Sequence, residues 1–223
     1  MRKILQKGQK EFDLCPKKMQ ARQETIIDLY RSIFGRSSLP DHQSYITLCA
    51  QCGNSRGKVK KGSEFETVVN EKLVKESQFY GIEGNPEIHK LNKGLKTSAK
   101  WFYGDFLDMV QEVAANDLSF RPGIINYDSI HFPTTDPDYF IRLLKVVMKM
   151  NWTDVLVLGN FVLLAHGREV SYENILDSFV DSAHSKIVFS TDFFSLYPHV
   201  YLYDGTGKKS ATKMGTIAFY NKG

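Results

Sequence analysis

Three carboxylates and an amide close four short apolar runs in this chain. Glu83 follows Phe79-Tyr80-Gly81-Ile82, Asp105 follows Trp101-Phe102-Tyr103-Gly104, Asp128 follows Ile124-Ile125-Asn126-Tyr127, and Asn160 follows Val155-Leu156-Val157-Leu158-Gly159. The steps from Glu83 to Asp105, Asp128 and Asn160 are 22, 23 and 32 residues. A carboxylate at such a junction can accept the paired hydroxyls of a ribose, as in dinucleotide-binding proteins. It can equally cap the helix that follows, because a short polar side chain satisfies the free N–H groups there. His131 and His166 come after the third and fourth of these runs. Imidazole is the side chain that exchanges protons near neutral pH, so each is a base candidate as well as an ordinary loop residue. Cys49 and Cys52 form a C-x-x-C pair, a spacing used by zinc and redox sites. Only Cys15 accompanies them, and no second pair occurs, so no metal is expected.

The elements that must position these groups follow from the spacing. A strand buried on both faces is apolar along its length, and a crossover to a parallel neighbour needs a dozen or more residues. The repeats therefore fit successive βα units, with the polar residues where the strands emerge. In an open α/β sheet, ligands bind at that edge. Before the repeats, Ile26, Ile27, Tyr30, Ile33 and Phe34 recur at helical spacing over 23–34, and Gly35 supplies a stop. Residues 44–50 are the first strand candidate. A polar loop bearing Gly53, Gly57 and Gly62 leads to a helix predicted over 63–77, with Ser63 as N-cap and Glu66 as its capping-box partner. Further helices are predicted over 86–92, 106–115, 137–150 and 172–182. Strand-like segments at 186–190, 197–203 and 216–220 then close the chain, with Asp204-Gly205-Thr206-Gly207 as a turn between the last two.

This ordering resembles the Rossmann-like S-adenosylmethionine-dependent methyltransferases over residues 44–222. The resemblance implies an α/β fold: a mostly parallel seven-stranded sheet with helices on both faces, ended by a hairpin whose last strand inserts antiparallel. Residues 44–223 would form that domain, and 1–43 a helical extension packed on it. S-adenosylmethionine would be the cofactor. By position, Glu83 would hold the ribose hydroxyls, Asp105 the adenine amino group, and Asp128 would lie beside the transferred methyl, with His131 close behind as a second catalytic candidate. Ala50, Cys52 and Gly53 are the small residues that would let the backbone approach the cofactor. Leu48-Cys49-Ala50-Gln51-Cys52-Gly53-Asn54 holds one glycine and no acidic residue where the family has a glycine-rich turn. Asp128-Ser129-Ile130-His131-Phe132-Pro133 lacks the contiguous Pro-Pro-aromatic of the amino-methylating DNA enzymes. The alternative is a methyltransferase-fold protein without catalysis that acts as a nucleic-acid-binding or regulatory module. The loop over 49–62 discriminates, since a collapsed loop would block the adenosyl pocket. Neither a Walker A sequence nor G-x-G-x-x-G occurs, which counts against other nucleotide-binding folds.

Composition bounds the partners. The chain has 223 residues, 42% of them hydrophobic and 13% aromatic, which supports a sizeable core and excludes a disordered chain. No apolar stretch approaches the ~20 residues that span a membrane. Three cysteines fit a reducing compartment, and the basic start without an apolar region is not a secretory signal, so the expected location is cytoplasmic. Net charge is +4, with cations gathered at Arg56, Lys58, Lys60 and Lys61 and again at Lys208, Lys209 and Lys213. These are either two solvated loops or a phosphate-tracking surface for nucleic acid. Phe193, Phe194 and Tyr197 either fill the core or offer a stacking surface, and loops 131–137 and 192–198 are the candidate substrate rim.

Overall fold

The computed structural model describes residues 16–117, 119–128, 137–165, 168–169, 195–197, 203–204 and 213–223. The chain enters through α1 (Pro16–Arg22), which passes into a π-helical stretch (Gln23–Asp28) and then α2 (Leu29–Phe34). Gly35, at φ 63°, ends this helix with its N–H on the Arg31 carbonyl, a left-handed step that a β-carbon would strain. Four βα units follow: β1 (Ser44–Leu48) and α3 (Glu64–Asn70), β2 (Phe79–Glu83) and α4 (Pro86–Lys93), β3 (Lys100–Tyr103) and α5 (Phe106–Asn116), β4 (Pro122–Asp128) and α6 (Pro137–Lys149). The remaining described elements are β5 (Val155–Ala165), β6 (Arg168–Glu169), β7 (Ser195–Tyr197), β8 (Tyr203–Asp204) and β9 (Lys213–Asn221).

The sheet runs in the order β3-β2-β1-β4-β5-β9-β7, with short β6 beside β5 and β8 beside β9. Strands β1 to β5 are mutually parallel, and β9 lies antiparallel between β5 and β7. The expected seven-strand path with its last strand inserted antiparallel is therefore present, with the two short strands added off that path. Alternation along β5 shows how one strand serves two layers. Leu156 and Leu158 join Ile26, Ile27, Tyr30, Phe65, Val68, Tyr45 and Phe79 on one face of the sheet. Val155 and Val157 join Phe106, Val110, Phe140, Leu143, Leu144 and Val147 on the other. Burying each such side chain is worth roughly 1.5–3 kcal/mol.

Local signals fix three of the helix starts. Asn85 caps α4 ahead of Pro86, Asp105 caps α5, and the Ser63 hydroxyl caps α3 by accepting from the Glu66 amide. Glu66 reaches back to the Gly62 amide at 2.6 Å, one residue before the capping-box partner expected. The helix predicted over 63–77 stops at Asn70. Lys72 takes φ 57°, the amides of Leu73 and Val74 both turn back to the Val68 carbonyl, and a 3-10 turn over Glu76–Gln78 leads into β2. The buried Gln78 side chain holds that turn by donating to the carbonyls of Pro40 and Gln43. β5 also continues five residues past Asn160, where a strand end was expected, because β9 pairs with it as far as Leu164↔Lys213. The helix predicted over 172–182, the strand over 186–190 and the turn residues 205–207 lie outside the described residues.

Candidate active site

Glu83, Asp105 and Asp128 stand at or just beyond the carboxyl ends of parallel strands, and Asn160 pairs in register with Asp128. All four therefore belong to one edge of the sheet. His131 and His166 lie outside the described residues, as do Phe193, Phe194, residues 131–136 of one proposed rim loop and 192–194 and 198 of the other.

On the β2–β3 side the two carboxylates already have partners. Glu83 is half-buried, and its Oε1 accepts from the Asn85 amide at 2.8 Å. Burial pushes its carboxyl above the usual glutamate value, opposed by the backbone N–H groups of Asn85 and Gly84. Asp105 uses Oδ1 three times: for the amides of Leu107 and Asp108, which makes it the cap of α5, and for the Tyr139 hydroxyl at 2.8 Å. Tyr139 is held protonated well beyond the normal phenol range, first by burial and then by this bond. All three bonds fall on Oδ1, and Oδ2 takes part in none of them. Exposed Tyr103 stands near His89, their rings 5.7 Å apart.

The loop after β1 is closed onto α4. Asn92, wholly buried, accepts from the amides of Cys52 (2.7 Å) and Gly53 (2.9 Å) through Oδ1 and donates to the Ala50 carbonyl through Nδ2. A β-carbon on Gly53 would come within 2.2 Å of the Leu91 carbonyl. Ala50, Cys52 and Gly53 thus serve the packing of α4, and the amides of the last two are already occupied. The Cys49 and Cys52 sulfurs are 3.8 Å apart and buried. Their mutual bond, and then burial, push the Cys49 thiol well up, which makes it a poor nucleophile. Among the described residues no group of three or more His, Cys, Asp or Glu is arranged to hold a metal. Beyond this clamp the loop doubles back through a Gly53↔Val59 bridge, and the Asn54 side chain accepts from the amides of Arg56 and Lys58. Arg56, Lys58 and Lys61 are exposed there, whereas Lys60 is half-buried. Lys208 and Lys209 lie outside the described residues, and Lys213 begins β9.

On the β4–β5–β9 side a small cavity of about 30 Å³, open to solvent, lies against the edge. The N-terminal helix lines it with Arg22, Thr25 and Ile26, α3 with Glu64, and the strands with Asn126, Asp128, Asn160 and Thr216. A chain of hydrogen bonds crosses its wall. Glu64 Oε1 accepts from the Tyr45 hydroxyl (2.6 Å) and from Asn126 Nδ2 (3.0 Å). Asn126 Oδ1 accepts from Asn160 Nδ2 (2.8 Å), and Asn160 Oδ1 from the Thr216 hydroxyl (2.6 Å). Burial and the Glu64 carboxylate push the Tyr45 phenol well up, so the hydroxyl stays a donor.

Of this wall, sequence reasoning named Asp128 and Asn160 and missed Arg22, Glu64, Asn126 and Thr216. One signal was present: Asn126 is an amide inside an otherwise apolar strand, where a polar group needs a partner. Glu64 gave none, since an acidic residue in the first turn of a helix is ordinary.

No protein-family model matches the chain, and no curated protein matches it in sequence. Solved structures do. An O-methyltransferase from Bacillus cereus in complex with SAH superposes with TM-score 0.55 at 12% identity, covering 99% of this chain and 90% of that one. The plantazolicin methyltransferase BpumL in complex with SAH gives 0.55 at 12%, over 97% and 90%. The sugar N-methyltransferase KedS8 from Streptoalloteichus gives 0.50 at 9%, over 100% and 93%. The chain has the fold of the Rossmann-like S-adenosylmethionine-dependent methyltransferases.

Proposed function

We propose that the protein is an S-adenosylmethionine-dependent methyltransferase. The observation that carries this is the division of the carboxyl edge. Two carboxylates, Glu83 and Asp105, stand over β2 and β3, and a small cavity lined in part by Asp128 opens over β4, β5 and β9. The first half fits an adenosyl group: Asp105 Oδ2 lies outside the α5 cap, and the Glu83 carboxylate has lone pairs beyond those taken by the Asn85 and Gly84 amides, so each keeps an acceptor for a ligand donor. The β1 loop fits less well, because the Cys52 and Gly53 amides are committed to Asn92.

When bound, S-adenosylmethionine supplies an electrophilic methyl group on a sulfonium. Glu83 would accept the ribose hydroxyls and Asp105 the adenine amino group. Asp128 would orient the acceptor in the cavity and accept its proton, a modest contribution beside alignment of the reacting atoms. The exposed cations Arg56, Lys58 and Lys61 support a nucleic-acid acceptor, whose phosphates they would contact.

The closed β1 loop favours the second reading, a methyltransferase-fold module that does not bind the cofactor. Calorimetric titration with S-adenosylmethionine and S-adenosylhomocysteine separates the two. Saturable binding that Glu83→Ala weakens supports the enzyme, and absence of binding to the unaltered protein supports the module.

A further inference from the structure

The thiols of the C-x-x-C pair take no part in either half of the carboxyl edge. Cys49 and Cys52 are free and buried, at 1% exposure each, with their sulfurs 3.8 Å apart. Bonded sulfurs lie about 2.0 Å apart, so a closure of about 1.8 Å would join these two. The pair stands at the end of the first strand of a βα unit, a setting in which this spacing serves redox chemistry. Two cysteines that merely fill a core need no mutual geometry. These share one acceptor, the Ala50 carbonyl, which lies 3.3 Å from the Cys49 sulfur and 3.5 Å from that of Cys52.

The two members are held differently. Cys49 continues the sheet, with its amide on the Ile82 carbonyl at 3.0 Å. Its sulfur lies 3.1 Å from where a β-carbon on Gly81 would stand, so the bare strand position beside it makes its room. Cys52 belongs to the loop. Its amide is on Asn92 Oδ1, and its carbonyl accepts from the Lys60 amide at 2.7 Å. Joining the sulfurs therefore draws the loop toward the sheet, and the displacement falls on residues 50–52. Asn92 grips the loop through those same residues, at the Ala50 carbonyl and the Cys52 amide. A disulfide also has no S–H, so the Ala50 carbonyl loses both thiol donors.

We propose that Cys49 and Cys52 form a reversible dithiol–disulfide switch whose closure releases the β1 loop from Asn92. The oxidant is a small disulfide such as oxidised glutathione. One cysteine thiolate attacks it, forming a mixed disulfide and expelling a first glutathione thiolate. The other cysteine thiolate then attacks the protein sulfur of that mixed disulfide and expels the second. One S–S bond breaks in glutathione and one forms in the protein. The protein gives up two electrons, and its two thiol protons end on the two reduced glutathiones. Because both sulfurs are buried, exchange waits on local opening of the loop and is slow. The switch stands apart from the methyltransferase reading, since no ligand enters it.

The test equilibrates the folded full-length protein in glutathione buffers from wholly reduced to wholly oxidised, alkylates the remaining thiols and digests with trypsin without reductant. Cleavage after Arg36 and Arg56 puts Cys49 and Cys52 on one peptide, apart from Cys15. That peptide should pass in one step from doubly alkylated to unalkylated and lighter by two hydrogens, with no glutathione attached, and dithiothreitol should reverse the change. In the oxidised protein the Cys52 and Gly53 amides should exchange with deuterium at least tenfold faster than in the reduced one. The Cys49 amide, held in the sheet, should change less than twofold. The C52S variant cannot close the bond, so oxidised glutathione should leave its Gly53 exchange unaltered, and acceleration there overturns the proposal. Should C52S fail to fold, the wild-type peptide and exchange rates decide. A peptide that stays doubly alkylated in oxidised glutathione, or carries only glutathione adducts, overturns the switch. So does a disulfide that leaves the Cys52 and Gly53 amides as protected as before.

Discussion

At Glu83, burial and hydrogen bonding pull in opposite directions, and burial prevails. The unfolded chain releases this proton near the ordinary glutamate value, and the folded chain releases it at higher pH. Between those values the folded state holds more protons, so the Glu83 contribution to stability falls as pH rises through that window. Glu83→Gln should flatten this dependence and leave the protein more stable than wild type at neutral pH, with the difference fading below about pH 4.5, as urea melts across pH 4–7 would show. Adenosyl affinity should move the opposite way with pH, since the ribose needs the ionised acceptor. Asp105 poses a separate problem, because its cap and the ligand role proposed for it sit on one side chain. Asp105→Ala should cost about 0.5–2 kcal/mol by uncapping α5. Asp105→Asn keeps a capping oxygen, so its loss of affinity, expected at roughly 1.5–3 kcal/mol or ten- to a hundredfold, reports the ligand bond. Equal affinity in Asp105→Asn and wild type would remove Asp105 from the site. Glu83 and Asp105 were legible in sequence because each ends an apolar run. Arg22 and Glu64 were not, because only the fold brings residues 42 positions apart to one cavity.

Among the elements, helices were the easiest to read. α5 and α6 came out within one residue of their predicted ends, because their apolar faces keep the 3.6-residue period to the last turn. The helix after β1 was overextended because Glu71, Lys72 and Lys75 are good helix formers on propensity, and nothing local announces the left-handed Lys72. The loop over 49–62, with three glycines, carries the local signature of a flexible segment. Instead it is clamped by Asn92, a residue of another unit. Asn92→Leu would strand the Cys52 and Gly53 amides at a cost of about 1–3 kcal/mol each. Thermal or urea melts should show that loss, while Asn92→Asp, which keeps the acceptor, should lose less. An Asn92→Leu protein as stable as wild type would mean that the clamp is not formed. Farther along the same loop, Arg56, Lys58 and Lys61 project outward and test the nucleic-acid acceptor. If they contact phosphates, changing all three to Ala should weaken RNA or DNA binding across sequences and flatten its dependence on salt. Indifference to the triple change would dismiss nucleic acid and leave the cofactor question untouched.

For the whole molecule, the spacing of apolar runs gave a parallel α/β sheet with its ligand edge, but not the strand order. Nothing local in 213–221 says that this segment pairs with β5 rather than extending the sheet beyond β7. That choice is made by two core layers that need Ile217 and Phe219 on one side and Ala218 on the other. The position of β9 has a consequence for synthesis. β5 meets its antiparallel neighbour only after some fifty further residues have been made, and β9 is what separates it from β7. At the ~5–20 residues per second of translation, the nascent chain presents the open edge of β5 for several seconds. An apolar strand with unpaired N–H and C=O groups is a template for pairing with another chain. A chain ended at residue 212 should therefore collect in the insoluble fraction even though every βα unit is intact. Supplying residues 213–223 as a separate peptide during refolding should restore soluble monomer. If the shortened chain stays soluble and folded by itself, β5 is shielded by something other than β9. Insolubility of the shortened chain, relieved by the peptide, would make β9 an internal chaperone for a strand made long before it.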